Sequence, residues 1–383
     1  MNIIIDARLI LNKNTGIGTY LINLIEALLK NDRKNNYVLF IDKNLNENHP
    51  VCLWEQENLH KQRVGVPAVG PEQQIVIPFK LKGKNIDVYH YPHFDLPLLQ
   101  NNNSVITIHD LKYIIAPEFF PEFSLIKKKY MNFFYRFSGQ KAKKIIVVSE
   151  STKNDLISLF KIPNEKIVVI PLAARDDFQP AKNQEQIQIK LKEKGIYNKY
   201  FLVVGERRPH KNLVRIIEAF KIFRKRCTAK YDLIIVGKKY ANYSEPEKKI
   251  SVLNLENDVI LTGYVSDDWL PIYYQGAEAL IFTSLYEGFG IPIAEAMACG
   301  TPVITSNISS MPEVAGDAAL YVNPYDSEAI AEKMETLVKN RVLSNELKQK
   351  GAKQVKKFNW HRTAEQTLSV YEEVYRNGAR GQN

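Results

Sequence analysis

Short aliphatic runs alternate with longer amphipathic stretches along this chain. In the first half, these runs have the length and composition of buried strands, and they lie at residues 3–5, 37–41, 105–108, 145–148 and 167–170. Helix-like stretches at 18–30 and 122–140 separate several of them. Strands that alternate with helices form parallel sheets covered on both faces, so this half predicts a doubly wound α/β domain.

A second alternating series begins near residue 200. Its predicted strands are 200–204, 232–236, 259–261, 279–282, 303–305 and 319–322, and its predicted helices are 213–226, 269–276, 292–298 and 327–339. We interpret the polar stretch 175–190, between the two series, as an interdomain linker. The pattern predicts two successive Rossmann-like domains, 1–178 and 186–359, and a C-terminal helix over 360–383 that packs back on the first domain.

Composition and charge narrow the class of protein. The 383 residues are 45% hydrophobic and 25% charged, which is typical of a globular protein. The sequence contains no apolar stretch long enough to span a membrane, and its first residues lead us to expect no signal peptide. Cys52, Cys227 and Cys299 match no metal or disulfide spacing, so we expect a cytoplasmic protein. The net charge of +10 predicts an anionic partner, which is a nucleotide phosphate, an acidic membrane face or nucleic acid.

The most informative segment, SLYEGFGIPIAEAMACG at 284–300, follows a predicted strand, where ligands of α/β sheets bind. Glu287 lies in a loop completed by Gly288, Phe289, Gly290 and Ile291, and Glu295 lies on the helix that follows. The N–H groups at the start of that helix favour a phosphate, and a carboxylate can hold two adjacent sugar hydroxyls. The alternative is that both glutamates are solvated surface residues.

The Glu-x7-Glu spacing, the GFGIP core and the following AMACGTPVI resemble glycosyltransferase family 4. The resemblance extends from DARLI and TGIGTY to the FNWHRTAEQTLSVYEEV tail and is most specific in the second half. It implies the GT-B fold, in which an acceptor domain and a nucleotide-sugar donor domain, both Rossmann-like, face each other across a cleft. It also implies a retaining hexosyltransferase that needs no metal ion and no cofactor. We predict that Glu287 contacts the transferred sugar and that Glu295 holds the ribose.

Members with similar HDL and YHYPHF segments are often mannosyltransferases of bacterial surface polysaccharides such as lipopolysaccharide. The resemblance therefore makes GDP-mannose the first donor to consider, and a saccharide or lipid-linked saccharide the acceptor.

A basic segment, VVGERRPHKN at 203–212, leads from another predicted strand into a helix. Arg207, Arg208 and Lys211 there could offset the charge of a diphosphate without a metal ion. The resemblance assigns Lys211 to the donor diphosphate. Many family members carry an arginine directly after the glycine, where this chain has Glu206, so either Arg207 or Arg208 is left to supply the second positive charge.

The segment LTGYVSDDWL at 261–270 ends a third predicted strand. By resemblance, Gly263, Tyr264 and Val265 border the nucleotide base. We predict that Ser266 or Asp267 caps the next helix, rather than forming part of a metal site.

The first half offers weaker signals. Gly16 and Gly18 precede a helix and could bring backbone N–H groups to a phosphate or to the transferred sugar, although the third glycine of a dinucleotide fingerprint is replaced by Leu21. His109 ends the strand of VITIHDL, and the resemblance places it beside the donor sugar. In YHYPHFDLPL, the side chains of His90, His93 and Asp95 could line an acceptor pocket, whereas their spacing does not suit zinc.

The stretch 112–144 is rich in lysine, with aromatic residues between the lysines. It either docks on an anionic membrane or packs its aromatic residues in the core beneath a solvated lysine face. Alternative functions are a nucleotide-sugar epimerase of the same fold and an NAD-dependent dehydrogenase, which the missing fingerprint disfavours. Nucleic-acid binding lacks a supporting motif, so we expect no nucleic-acid partner.

Overall fold

The computed structural model describes residues 1–12, 16–100, 103–240 and 243–380. The chain divides into two compact units, Met1–Leu172 with Trp360–Asn383, and Ala173–Asn359.

Within the described residues, the first unit contains a seven-stranded parallel sheet ordered β3-β2-β1-β4-β5-β6-β7. Its strands are β1 (Asn2–Asp6), β2 (Asn36–Asp42), β3 (Leu59–Val64), β4 (Val88–Tyr91), β5 (Ser104–Ile108), β6 (Lys144–Val147) and β7 (Ile167–Val169). The chain adds strands on one side of β1 up to β3 and then on the other side from β4 onward. The topological switch point, where ligands of such sheets bind, therefore lies between β1 and β4.

Helices cover both faces of this sheet. They are α1 (Gly16–Asn31), α2 (Pro50–Leu53), α3 (Pro71–Leu81), α4 (Lys112–Ile115), α5 (Leu125–Lys141) and α6 (Glu150–Phe160). All four residues of β4 and all five of β5 are buried, as expected for central parallel strands packed on both faces.

Among the described residues, the second unit has a six-stranded parallel sheet ordered β10-β9-β8-β11-β12-β13. Its strands are β8 (Lys199–Val204), β9 (Tyr231–Val236), β10 (Val259–Gly263), β11 (Ala279–Phe282), β12 (Val303–Ser306) and β13 (Ala319–Val322). Its helices are α7 (Gln184–Glu193), α8 (Leu213–Arg226), α9 (Glu245–Val252), α10 (Leu270–Gly276), α11 (Ile291–Ala298), α12 (Met311–Ala315), α13 (Ser327–Lys339) and α14 (Arg341–Gln354). Here the switch point lies between β8 and β11.

The last helix, α15 (Trp360–Arg380), returns to the first unit. Thr363 Oγ1 donates a hydrogen bond to the Pro171 carbonyl at 2.9 Å, and Lys144 pairs with Glu373 at 2.8 Å. The fully buried Tyr371 hydroxyl lies 2.6 Å from His90 Nδ1 on β4. Contacts along its whole length thus hold α15 against the sheet.

The predicted doubly wound α/β architecture is confirmed, and α8 and α13 have the predicted bounds. The interpretation of 175–190 as a linker is wrong for its second part, which forms α7. Asn183 caps that helix, and Ile187 and Leu191, four residues apart, are buried on one of its faces. We find no helix, among the residues described, with both the length and the apolar character needed to cross a membrane.

Candidate active site

The switch point of the second unit brings together two sequence motifs. Lys211 follows β8 and Glu287 follows β11, and Lys211 Nζ lies 2.6 Å from Glu287 Oε1. The backbone N–H of Leu285 donates to the His210 carbonyl at 2.8 Å, which fixes the two loops side by side. Both side chains of the ion pair remain 15% exposed. A cation and a carboxylate are therefore presented together where a ligand is expected.

Two serines that the sequence analysis missed hold the glutamate loop in place. Ser309 Oγ accepts a hydrogen bond from the Glu287 N–H at 3.2 Å and donates to the Glu287 carbonyl at 2.7 Å. Ser310 Oγ lies 3.0 Å from the carbonyl oxygens of Glu287 and Phe289. These serines follow β12, the neighbour of β11, and their position after a central strand is the signal that could have identified them.

The loop enters α11 through Gly290, whose φ of 95° is unfavourable for a residue with a side chain. A Cβ there would lie 3.3 Å from the Phe282 ring. Gly288 and Phe289 are buried, and the Phe289 ring packs edge-on against Phe358 with 5.5 Å between centroids. Ile291 then begins the helix, so the loop has little freedom to move Glu287.

Glu295 lies one turn into α11, where the Tyr274 hydroxyl donates to its Oε2 at 2.7 Å. Desolvation raises the pKa of the Glu295 carboxyl to about 7, against the opposing effects of Tyr274 and the positive charge of Arg175. Glu295 therefore changes charge near neutral pH and becomes a stronger hydrogen-bond acceptor as it ionises.

The two candidate arginines have different environments. Arg207 is 8% exposed and pairs with Glu247 at 3.2 Å, while its Nε is buried without a hydrogen-bond partner in the described part of the chain. Arg208 stacks on Tyr240, 3.6 Å from the ring centroid, and pairs with Glu206. Each arginine already contacts a carboxylate, and the geometry leaves the choice between them open.

A third loop approaches the same edge of the sheet. The N–H of Gly237 donates to the Gly263 carbonyl at 2.8 Å, and a Cβ at Gly237 would lie 1.9 Å from the Gly205 carbonyl oxygen. This contact requires glycine at 237 and brings the loops after β8, β9 and β10 together. Tyr264 is 58% exposed, and Val265 follows it half-buried.

The prediction that Ser266 or Asp267 caps the next helix is wrong. Trp269 precedes α10, and no side-chain hydrogen bond caps that helix. Instead, Asp267 pairs with the Arg175 guanidinium at 3.1 Å. The Arg175 guanidinium binds this carboxylate in place of the backbone N–H groups at the start of the helix, because a hydrogen bond between two charged groups is stronger than one to a neutral N–H.

In the first unit, His109 follows β5 as predicted. A ring N–H of His109 donates to the Pro92 carbonyl, while Nε2 is buried and makes no hydrogen bond to the described residues. Desolvation lowers the pKa of His109 to about 4, so the imidazole is neutral at neutral pH and Nε2 carries a lone pair. An unsatisfied buried acceptor of this kind suits a sugar hydroxyl.

The helix that begins at Gly16 contacts this histidine through Tyr20. Gly16 begins α1, and a Cβ built on it would meet no atom within 4 Å, whereas Gly18 is buried. Tyr20, on the same helix, packs edge-on against His109 with 4.7 Å between ring centroids. Residues 14 and 15 of the predicted segment lie outside the described residues.

The expectation that His90 lines an acceptor pocket is wrong. Its ring is completely buried, with Nδ1 at 2.6 Å from the Tyr371 hydroxyl and Nε2 at 2.8 Å from Thr107 Oγ1. Because α15 covers this histidine, it is a structural residue. Burial lowers its pKa to about 3.

In the basic stretch, some aromatic side chains are buried, whereas the start of α5 is exposed. Phe134 and Tyr135 are buried in the core, as the packing alternative expects. At the start of α5, however, Leu125 and Ile126 are 77% and 81% exposed, directly before three lysines at 127–129, of which Lys127 and Lys129 are exposed and Lys128 is half-buried. Large apolar side chains beside lysines are typical of surfaces that contact anionic lipid.

Two models of glycosyltransferase sequence families match the chain. A model described as Glycosyltransferase Family 4 matches residues 14–178, and one described as Glycosyl transferases group 1 matches residues 183–354. The chain is 32% identical to O-antigen chain mannosyltransferase B of Escherichia coli, over 74% of each chain. It is 35% identical to O-antigen chain mannosyltransferase RfbU of Salmonella typhimurium, over 62% of this chain and 61% of that relative, which is less than two thirds of its length.

Among solved structures, sucrose-phosphate synthase from Thermosynechococcus elongatus superposes with a TM-score of 0.79 at 20% identity, covering 98% of this chain and 99% of that one. WaaG, a glycosyltransferase involved in lipopolysaccharide biosynthesis, gives 0.75 at 14% identity, with coverage of 97% and 99%. These likenesses establish a shared fold.

Proposed function

Because the chain belongs to glycosyltransferase family 4, we propose that it is a retaining, metal-independent transferase that moves mannose from GDP-mannose to a saccharide or lipid-linked saccharide. The observation that carries the proposal is the Lys211–Glu287 pair at the switch point of the second unit. Its 2.6 Å contact unites the two motifs that suit a nucleotide sugar: a cation for the diphosphate and a carboxylate for sugar hydroxyls.

In this proposal, different residues of the second unit bind different parts of the donor. Lys211, with Arg207 or Arg208 and the start of α11, neutralises the charge that develops on the leaving diphosphate. Glu295 holds the ribose hydroxyls, and Glu287 contacts the transferred hexose. The loop 263–265 borders the base, and Gly288, Phe289, Gly290 and Ile291 shape the backbone around the hexose and phosphates.

In the first unit, the unsatisfied Nε2 of His109 accepts a hydrogen bond from a hydroxyl of the transferred sugar. The backbone at Gly16 and Gly18 approaches the same part of the donor. Attack by the acceptor occurs on the face from which the diphosphate departs, without an enzyme nucleophile, as the family resemblance implies.

Mannose is supported by the relatives, two of which carry the name O-antigen chain mannosyltransferase. The deciding experiment incubates the protein with GDP-mannose or UDP-glucose and a panel of octyl glycosides of mannose, galactose and N-acetylglucosamine. We expect a product one hexose heavier by mass spectrometry, with GDP-mannose preferred and the donor's anomeric configuration retained by NMR. Conversion of the donor to an epimer without any acceptor would support the epimerase alternative instead.

Metal independence is part of the proposal, since the basic residues replace the charge of a metal ion. Within the described residues, no cluster of three or more His, Cys, Asp or Glu side chains could hold a metal. Transfer should therefore continue in EDTA at its initial rate. Loss of activity in EDTA, restored by Mn²⁺ or Mg²⁺, would contradict this part of the proposal alone.

The lipid-linked acceptor and the surface at the start of α5 support peripheral association with the inner face of an anionic membrane. Leu125 and Ile126 would enter the interface, while the lysines at 127–129 contact lipid phosphates. Nucleic-acid binding is the alternative use of the net positive charge. Retention of an RNA probe at physiological salt would favour that alternative.

A further inference from the structure

The switch point of the first unit also contains a polar cluster, centred on Asp95. This carboxylate is completely buried in the loop that follows β4, the strand beside β1. Its oxygens accept hydrogen bonds from the hydroxyls of Tyr91 at 2.8 Å and Tyr130 at 3.1 Å, and from Gln73 Nε2 at 2.8 Å. Donors on three different elements therefore fix the position of Asp95.

His93 is the fourth contact of this carboxylate, with His93 Nδ1 at 2.5 Å from Asp95 Oδ1. A carboxylate can only accept, so Nδ1 carries the proton in this contact, and in the neutral imidazole Nε2 then carries the lone pair. The His93 side chain is 16% exposed, and the described residues make no hydrogen bond to Nε2. The Asp95 contact therefore fixes the ring of a partly exposed histidine, and its Nε2 remains available to a ligand hydroxyl.

The ring is held by more than its carboxylate. The His93 ring packs against Phe94, with 4.3 Å between centroids, and edge-on to Tyr91 at 6.2 Å. The adjacent Pro92 carbonyl accepts the hydrogen bond from His109. The loop after β4 therefore contacts two imidazoles at one edge of the sheet, those of His93 and His109.

The remaining groups in the cluster are already paired. Gln73 receives a hydrogen bond from Arg8 at 3.1 Å, and Arg8 in turn pairs with Asp6 at 2.6 Å. Both charged side chains of that pair are completely buried. Neither they nor Asp95 can offer a carboxylate or a guanidinium to a ligand, whereas His93, on the partly exposed side of the cluster, can offer Nε2.

We propose that His93 binds the acceptor saccharide, with Nε2 accepting a hydrogen bond from an acceptor hydroxyl, and that Asp95 is the positioning residue that fixes its tautomer. The inference rests on the proposed transferase function, and it adds the acceptor side to the donor side described above. It assigns His93 no role in breaking the bond between hexose and diphosphate.

The test compares two substitutions that each keep one of the ring's two hydrogen-bonding positions. In His93→Asn, the amide lies near the former Nδ1 and can still donate to Asp95, but nothing replaces Nε2. In His93→Gln, the amide reaches the former position of Nε2. His60→Asn, at an exposed histidine on β3, is the control.

With the octyl glycoside that gives the highest rate, H93N should raise the KM for acceptor at least tenfold, and H93Q should raise it less. The KM for donor, the slow hydrolysis of donor without acceptor and the Tm should stay at the values of the control. Asp95→Asn should also raise the acceptor KM, because it allows the other tautomer.

Several results would overturn the inference. An unchanged acceptor KM in H93N removes the proposed contact, while the transferase function stands. Equal losses in H93N and H93Q with a lowered Tm indicate a structural histidine, and a matching loss of donor hydrolysis places His93 on the donor side. If the wild-type protein transfers hexose to no glycoside, both this inference and the proposed function fall.

Discussion

The two units share a topology but use their switch points differently. Each has an ion pair there: Asp6 with Arg8 in the first unit, and Lys211 with Glu287 in the second, both at 2.6 Å. The first pair is 0% exposed, whereas both members of the second are 15% exposed. The same contact distance therefore describes two kinds of ion pair, one sealed and one accessible.

The partners of each pair explain the difference. Arg8 also donates to the carbonyls of Val66 and Pro67 and to Gln73, and Asp6 accepts from the Tyr89 hydroxyl. These contacts offset the desolvation that a buried charge requires. The Lys211 ammonium has Glu287 and, at 4.8 Å, the Phe282 ring. A diphosphate can compete for this ammonium, while no ligand can reach Arg8.

The largest expected effect follows from breaking the sealed pair. Arg8→Ala leaves Asp6 as an uncompensated buried charge and should lower the free energy of unfolding by about 3–5 kcal/mol. Lys30→Ala, which removes an exposed ion pair on α1, should change it by less than about 1 kcal/mol. Urea unfolding of both variants measures the two losses in the free energy of unfolding. Similar losses in the two variants would contradict this prediction.

The accessible pair should affect binding more than folding. Lys211→Ala should weaken GDP binding by about 1.5–3 kcal/mol, the usual contribution of a hydrogen bond to a charged group. Glu287→Ala should leave GDP binding intact, since it releases Lys211, yet depress turnover of the full donor.

Calorimetry with GDP and initial rates with GDP-mannose separate these two variants. Lys249→Ala removes another 2.6 Å ion pair of the same unit, between α8 and α9, and is the matched control. If Glu287→Ala weakens GDP binding as much as Lys211→Ala, our division of roles is wrong.

Glu295 should make donor binding depend on pH. With a pKa of about 7, the carboxyl of the unliganded protein is mostly protonated at pH 6 and mostly ionised at pH 8, whereas ribose hydroxyls favour the ionised form. The affinity for GDP-mannose, whose diphosphate does not titrate in this range, should fall about tenfold from pH 8 to pH 6.

Glu295→Gln should bind more weakly and lose most of this dependence on pH. The sign for stability is the opposite one. Because the pKa of this carboxyl is raised in the folded protein, the protein loses stability as the pH rises from the ordinary value of 4.5 to about 7. Without ligand at pH 8, Glu295→Gln should therefore have a higher Tm than the wild-type protein. A pH dependence that persists in Glu295→Gln would indicate another titrating group.

We expect the smallest effect for substitutions at the start of α5 in the first unit, measured as binding to lipid vesicles. Binding to vesicles that contain phosphatidylglycerol should weaken as salt rises, and replacing the lysines at 127–129 with glutamine should reduce it further. Leu125→Ser should lower binding at high salt as well, because its contribution is apolar. Equal affinity for neutral and anionic vesicles would exclude the electrostatic part of this proposal.

Sequence reasoning succeeded where the chemistry lies in one continuous segment. The alternation of strands and helices predicted both sheets, and the segments around Lys211 and Glu287 pointed to loops that the structure joins. It missed β3 and β4, because β3 is a polar edge strand and the VYHY sequence of β4 is too short to show a period.

Errors arose where a distant residue decides the environment. His90 was expected to face a ligand, but its partner Tyr371 lies 281 residues further along the chain. Asp267 was expected to cap a helix, but Arg175, 92 residues earlier, contacts both its carboxylate and its backbone carbonyl. Local propensity contains no information about such partners, so these roles become visible only in the folded chain.

The return of α15 to the first unit also affects the order of events during synthesis. Strands β4 to β6 precede the second unit in the chain, so they leave the ribosome before it, whereas the helix that buries His90 follows that unit. The second unit is complete in the chain by then and can fold first. Until α15 is synthesised, His90 and the part of the first sheet that α15 covers lack this helix and stay exposed to solvent.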